Sequence, residues 1–169
     1  MSKIASIMTD YFEDVEYTEP VKAYKESGHE VINIGLQAGQ TVKGKRDETP
    51  VKIDKAITDA RPEEFDALLI PGGFSPDMLR AHDEAVEFAK AFINSGKPVF
   101  SICHGAQLLI TADVIRDRKV TGYKSIIQDI KNAGARFEDK EVVVDGNLVS
   151  SRNPNDIPAF IRESLKMLS

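Results

Sequence analysis

Short apolar runs alternate with amphipathic stretches of helical rhythm, and no other feature narrows the fold as much. Lys3 to Met8 reads as a buried strand. Val15 to Ser27 reads as a helix with Val15, Val21 and Tyr24 on one side and Gly28 as its stop. Val31 to Ile34 is the next strand. Asp66 to Ile70 is apolar and halts at Pro71-Gly72-Gly73, after which Asp83 to Asn94 carries Ala85, Val86, Phe88, Ala89 and Phe92 at helical spacing before Gly96. Pro98 to Ile102 and His104 to Thr111 repeat the unit, with Cys103 at the junction. Strands that are apolar throughout, rather than alternating, are covered on both faces. The pattern therefore predicts a mostly parallel sheet with helices on both faces.

The remaining segments are less regular. Thr41 to Lys55 is polar and alternating, with Gly44 and Pro50, and reads as a small hairpin off the main sheet. Lys119 to Thr121 reads as a strand, and Ser125 to Ala133 as a helix closed by Gly134. Glu141 to Val149 reads as a hairpin turning at Asp145-Gly146. A last helix, capped by Asn155 or Asp156 and with Pro158 in its first turn, runs through Leu168. There is no repeat, linker or low-complexity tract, so residues 1–169 are expected to form one domain.

Composition removes several classes of function. With 22 Lys+Arg against 27 Asp+Glu the net charge is −5, and no basic block points to nucleic acid or a membrane surface. No apolar run approaches the roughly 20 residues of a membrane span. The N-terminal MSKIASIMTD meets an acid too early for a signal peptide, so a cytoplasmic location is expected. One cysteine forms no internal disulfide, and with 3 histidines it makes a poor structural zinc set; no metal or cofactor is expected.

In open sheets of this kind ligands bind beyond the carboxyl ends of the strands. Three features fall there: the acidic stretch after Met8, the glycine pair after Ile70, and Cys103. A strand running into a helix through Ser101-Ile102-Cys103-His104-Gly105 has the shape of a nucleophile elbow, which lifts a side chain above the sheet and aims backbone N–H groups at it. Helix-start N–H groups favour a thiolate, so Cys103 is expected to titrate well below the roughly 8.5 of a free thiol. A lone cysteine is also commonly a small buried hydrophobe; position and the adjacent histidine favour chemistry. His104 serves as acid or base only if the turn departs from regular helix, since helical neighbours diverge by about 100°. His29 and His82 read as surface or helix-end residues. The N–H groups of Gly73 and His104 are candidates for an oxyanion hole, with Gly72 beside them. Among Glu13, Asp14 and Glu16, helix-start placement accounts for most of the acids. One of them driven into the pocket could stay protonated beside the sulfur and shuttle a proton.

Taken together, Phe12-Glu13-Asp14-Val15-Glu16, Leu68-Leu69-Ile70-Pro71-Gly72-Gly73, Ser101-Ile102-Cys103-His104-Gly105 and Val142-Val143-Val144-Asp145-Gly146-Asn147 resemble the PfpI intracellular protease family. That family lies in the superfamily of the Parkinson-disease-associated protein deglycase and is similar in fold to class I glutamine amidotransferases. The resemblance spans nearly the whole chain and implies a flavodoxin-like α/β three-layer sandwich. It makes Cys103 the nucleophile, Glu16 the carboxyl group touching its sulfur, Glu13 a lesser member of that pocket, His104 the adjacent histidine and Tyr123 a pocket tyrosine. It implies a homo-oligomer, dimer or hexamer, in which Asp77 of a neighbouring subunit completes a triad; by itself Asp77 reads as the cap of a short helix. Two residues depart from the family pattern. Ala106 replaces a frequent proline, which bears on helix-start rigidity, and Lys124 replaces a proline that often follows the tyrosine, which bears on the pocket wall and substrate choice. The implied function is a cofactor-independent stress enzyme acting on methylglyoxal-type dicarbonyls or their glycation adducts, of the glyoxalase or deglycase type. The alternatives are a cysteine peptidase or amidase acting on peptides, and a non-catalytic redox sensor or chaperone.

Overall fold

The structure is a computed structural model that describes all residues, 1–169. The chain runs β1 (Lys3–Ile7), α1 (Asp14–Glu26), β2 (Glu30–Gly35), β3 (Thr41–Lys43), β4 (Pro50–Lys52), β5 (Lys55–Ala56), β6 (Ala67–Ile70), α2 (Ser75–Leu79), α3 (Asp83–Asn94) and β7 (Val99–Ile102). It continues through a 3-10 turn, Cys103–Gly105, into α4 (Ala106–Thr111), β8 (Lys119–Val120), α5 (Ile127–Asn132), β9 (Arg136–Phe137), β10 (Val143–Asp145), β11 (Leu148–Ser151) and α6 (Ile157–Leu168). Seven strands form the main sheet in the order β10-β11-β7-β6-β1-β2-β5. Every pairing in it is parallel except β10 with β11.

The expected sandwich is present, and the side-chain period of two explains its layers. Ala5, Ile7, Leu68, Ile70, Val99 and Leu148 face one core with Phe88, Phe92, Leu108 and Leu109. Ile4, Leu69, Phe100, Ile102 and Val149 face the other, with Val21 and Tyr24 of α1 and Phe160 of α6. Every residue of β6, β7 and β11 is buried, as two-sided coverage requires.

Three local expectations are corrected. Val15 is exposed, and the buried face of α1 is Tyr17, Pro20, Val21 and Tyr24. The expected strand at residues 119–120 is present and pairs in parallel with β9, outside the main sheet. The excursion contains the expected hairpin, Val42 opposite Val51, but its tail adds β5 to the sheet edge beside β2. The last helix is entered through Asn153, whose side chain accepts the Asn155 N–H at 2.9 Å, while Asp156 is taken up by Arg152. The turn near Asp145 is present, with Asp145 opposite Leu148 so that Gly146 and Asn147 form the two-residue loop.

Phe100 tests the second core. Its ring lies 6.0 Å from that of Tyr24 and is fully buried. Phe100→Ala is expected to lower stability by about 3–5 kcal/mol, read as a lower urea midpoint with an unchanged slope.

Candidate functional site

Three loops meet beyond the carboxyl ends of β1, β6 and β7. Phe12 and Gly73 form an isolated antiparallel bridge, flanked by Glu13 N–H to Gly72 O at 3.1 Å and Phe74 N–H to Tyr11 O at 2.8 Å. The loop after β1 is thereby fastened to the glycine pair after β6. Cys103 closes the group from β7.

The elbow is real in its backbone. Cys103 has φ 63°, a left-handed conformation that costs a non-glycine residue about 1–2 kcal/mol. Its surroundings hold it there. The Tyr123 N–H donates to Cys103 O at 3.1 Å. Gly105 passes so close to Ile70 O that a Cβ would lie 2.6 Å away. A Cβ on Gly72 would lie 2.8 Å from Cys103 Cβ and would also strike Glu16 Oε1. Both glycines are required by close approach.

The left-handed residue followed by a 3-10 turn supplies the departure from regular helix that His104 needs. Its Nδ1 lies 3.3 Å from Cys103 Sγ, and its Nε2 lies 3.1 Å from Ser125 Oγ. The Tyr123 ring lies against the imidazole, centroids 4.8 Å apart. Partial burial, then the charge of Lys45, lower the imidazole's pKa, and Asp77 acts weakly the other way. The ring is therefore neutral near pH 7 and able to accept a proton.

Glu16 is fully buried. Its Oε1 accepts the Gly72 N–H at 2.9 Å, and its Oε2 has no hydrogen-bond partner. Burial, then the neighbouring charge of Glu13, push the carboxyl up to about 8, while the Cys103 side chain interacts with it in the opposite sense. A protonated acid beside the sulfur is thus what the environment produces. The thiol itself departs from expectation. Burial, followed by the charge of Glu16, pushes Cys103 up, and the N–H groups of Gly73 and His104 oppose this without cancelling it. The helix behind the sulfur, α4, has only six residues, so its dipole is a weak counterweight to burial.

The other acids are not mere helix-start charges. Glu13, 3% exposed, pairs with Lys45 at 3.0 Å and with Arg46 Nε. Asp14, also 3% exposed, accepts the N–H groups of Arg46, Asp47 and Thr49 at 2.9, 3.3 and 3.1 Å, which pins the β3–β4 tip over the site. The Lys45 ammonium stands 5.3 Å from the Phe74 ring centroid. Lys45, Arg46 and Ser125 were not singled out from the sequence. The basic pair after Gly44, inside the polar hairpin segment, is the only signal for the first two.

Asp77 is not brought to His104 within the chain. It sits in the first turn of α2 with a side chain 63% exposed, caps nothing, and pairs with Arg80 at 3.8 Å. His29 accepts the Ser2 N–H, and His82 begins α3 near Glu84. No group of three or more His, Cys, Asp or Glu side chains is arranged to hold a metal ion. No helix is long and apolar enough to cross a membrane.

Residues 2–167 match the model of the DJ-1/PfpI family. Protein/nucleic acid deglycase 2 of Escherichia coli (strain K12) is 60% identical over 167 residues, covering 98% of this chain and 97% of its own. General stress protein 18 of Bacillus subtilis (strain 168) is 59% identical over 167 residues, with the same coverage. Among solved structures, a two-domain protein from Anabaena variabilis with DJ-1/ThiJ/PfpI-like and ferritin-like domains superposes with a TM-score of 0.97 at 38% identity. That match covers 99% of this chain and 48% of the other.

Two measurements follow from the site's electrostatics. Burial alone would raise Asp14, but the N–H groups of Arg46 and Thr49 and the Thr49 hydroxyl outweigh it and hold the carboxyl below its ordinary 3.8. A depressed carboxylate stabilises the fold fully above its unfolded pKa, and that contribution is lost as pH falls through the folded value. The stability advantage of the native chain over Asp14→Asn is therefore expected to be full at pH 6 and to shrink below about pH 4 in urea titrations. The second concerns the coupled pair. Glu16→Gln removes the charge that holds the thiol up, so the midpoint of iodoacetamide labelling against pH is expected to fall relative to the native chain. A rise would show that the carboxyl acts mainly as a donor to a resting thiolate.

Proposed function

Since the chain belongs to the DJ-1/PfpI family, we propose that it is a cofactor-independent cysteine enzyme acting on reactive dicarbonyls such as methylglyoxal, or on their glycation adducts. The observation that carries this reading is a sulfur set between two proton carriers, neutral His104 at 3.3 Å and buried Glu16 with an unpartnered oxygen. In the first step His104 Nδ1 takes the thiol proton while Sγ adds to the aldehyde carbon, giving a hemithioacetal. The N–H of Gly73, which has no backbone acceptor, and that of His104 receive the developing oxyanion. Glu16 gives its proton to that oxyanion and, now a carboxylate, takes the proton of the former aldehyde carbon and returns it to the neighbouring carbon while the hydroxyl proton passes from one oxygen to the other, turning the hemithioacetal into a thioester. Water cleaves the thioester to the hydroxy acid and restores the thiol. Methylglyoxal plus water thus becomes lactic acid, with no net oxidation.

Cys103 is only 6% exposed, which suits a small carbonyl or the tip of an adduct better than an extended peptide. The same burial limits an oxidant's access to the sulfur, which disfavours a redox sensor. In the assembly we propose, a homo-oligomer, Asp77 of one protomer lies near His104 of the next. Support comes from the surface around it, where Tyr11, Phe74 and Met78 are 54%, 61% and 38% exposed. A cluster of exposed apolar side chains marks a contact surface.

The test is lactate formed from methylglyoxal by purified protein, with Cys103→Ala as the inactive control; equal lactate from both would end the reading. Glu16→Gln is expected to lose about 10²–10⁴ in turnover, and Glu13→Gln less than about tenfold, since it touches cations rather than the sulfur. Ser125→Ala should lower kcat about tenfold, the worth of one hydrogen bond holding the ring, with KM unchanged and Ser125→Thr restoring it. For the assembly, mixing Cys103→Ala with Asp77→Ala subunits is expected to recover activity, whereas a fully active monomer at assay dilution would refute the shared site.

A further inference from the structure

The largest cleft of the molecule, about 460 Å³, adjoins the sulfur's surroundings without containing the sulfur. The two share one wall, Tyr123, whose N–H holds Cys103 O and whose ring lies on His104. Ile127 and Phe137 give the cleft apolar surface, while Arg46, Lys124, Arg152 and Asp139 supply its charges. Three cations against one acid is a local reversal of sign in a chain of net charge −5.

The cations are not equivalent. Arg152 is spent on Asp156 and Asp139, with bonds from Nε, Nη1 and Nη2. Arg46 gives only its Nε to Glu13, so both Nη groups remain free, and 66% of its side chain is exposed. Lys124 makes neither an ion pair nor a side-chain hydrogen bond, and no carboxylate neutralises it. It follows Tyr123 directly, and the turn it begins, Lys124–Ile126, carries the Ser125 hydroxyl that holds His104. Lys124, one of the two positions that depart from the family pattern, is thus the one unneutralised charge on the wall between cleft and thiol.

We propose that this cleft is a subsite for the anionic end of the substrate: Lys124 and the free Nη groups of Arg46 bind an oxyanion, phosphate or carboxylate, several bonds from the carbonyl that meets Cys103. The assignment rests on the carbonyl-addition reading above and deepens it by naming the substrate class as acidic carbonyl compounds or adducts. An ammonium and an open guanidinium edge facing one cleft are the donor set that such oxyanions recruit. The apolar patch accommodates the carbon chain between the two ends. A neutral dicarbonyl reacts at the same sulfur without using the subsite.

The experiment measures protection of Cys103 from iodoacetamide, followed by mass spectrometry, so that it does not depend on turnover. Aldehydes are compared in pairs that differ in the oxyanion: erythrose 4-phosphate with erythrose, and 6-oxohexanoate with hexanal. In the native chain the anionic member is expected to reach half-protection at about tenfold lower concentration, as a charge-assisted contact allows. Lys124→Gln should bring that ratio to about 1, Lys124→Arg should keep it, and Lys90→Gln, on exposed α3 surface, should not alter it. A preference in the phosphate pair, the carboxylate pair or both supports the subsite and identifies the oxyanion. A ratio near 1 in both pairs for the native chain overturns the proposal, as does a preference that survives Lys124→Gln. Absence of lactate from methylglyoxal with the anionic preference intact would remove the enzymatic reading and leave the subsite standing.

Discussion

The site depends on placing a carboxyl group, Glu16, where water cannot reach it and where only one of its oxygens is satisfied. Gly72 makes this placement feasible, because any side chain there would occupy the space of Glu16 Oε1 and press on Cys103 Cβ. Its N–H then takes one oxygen and leaves the other without a partner, in a carboxyl group that interacts with the Cys103 side chain. An ionised acid in that position would be costly without a countercharge, and the like charge of Glu13 acts on it more strongly than the opposite charge of Lys45. Retaining a proton is the cheaper solution, and it is also the useful one, because a neutral acid can donate where a carboxylate cannot.

The architecture around this group divides the work. The parallel strands β1, β6 and β7 end together, so residues far apart in sequence arrive at one point without long loops. The left-handed Cys103 is tolerated because its carbonyl is held by Tyr123 N–H and because Gly72 and Gly105 leave room around it. The same geometry turns two consecutive side chains, Cys103 and His104, toward each other. A regular helix start would have separated them.

Much of this was legible in the sequence, and the parts that were not have physical causes. The central strands were plain because burial on both faces leaves an unbroken apolar run. The elbow was plain because an apolar strand stops at a polar pair followed by glycine. Val15 was misplaced because two further apolar members of its helix, Tyr17 and Pro20, carry the buried face. Residues 119–120 were legible as a strand, but so short a run says nothing about which partner it finds, and the partner is β9. The thiol was misjudged because a helix-start argument counts donors and omits desolvation, which is set by tertiary packing. Ser125, Lys45 and Arg46 were hidden for a related reason: their importance comes from loops that fold back across 21 to 33 residues of sequence separation, or in the case of Lys45 from the same tip. Side chains of these types are solvated in most settings.

The attachment of the β3–β4 tip has a consequence for how the molecule comes apart. Lys45 and Arg46 are the cations that accompany buried Glu13, and Asp14 anchors the tip that carries them. Sub-global opening of that tip, with the seven-stranded sheet intact, would part Glu13 from both of its cations and let water reach it. The hairpin and the acidic wall of the pocket are therefore fastened together, so that parting them would disturb the surroundings of the sulfur while the sheet stays folded.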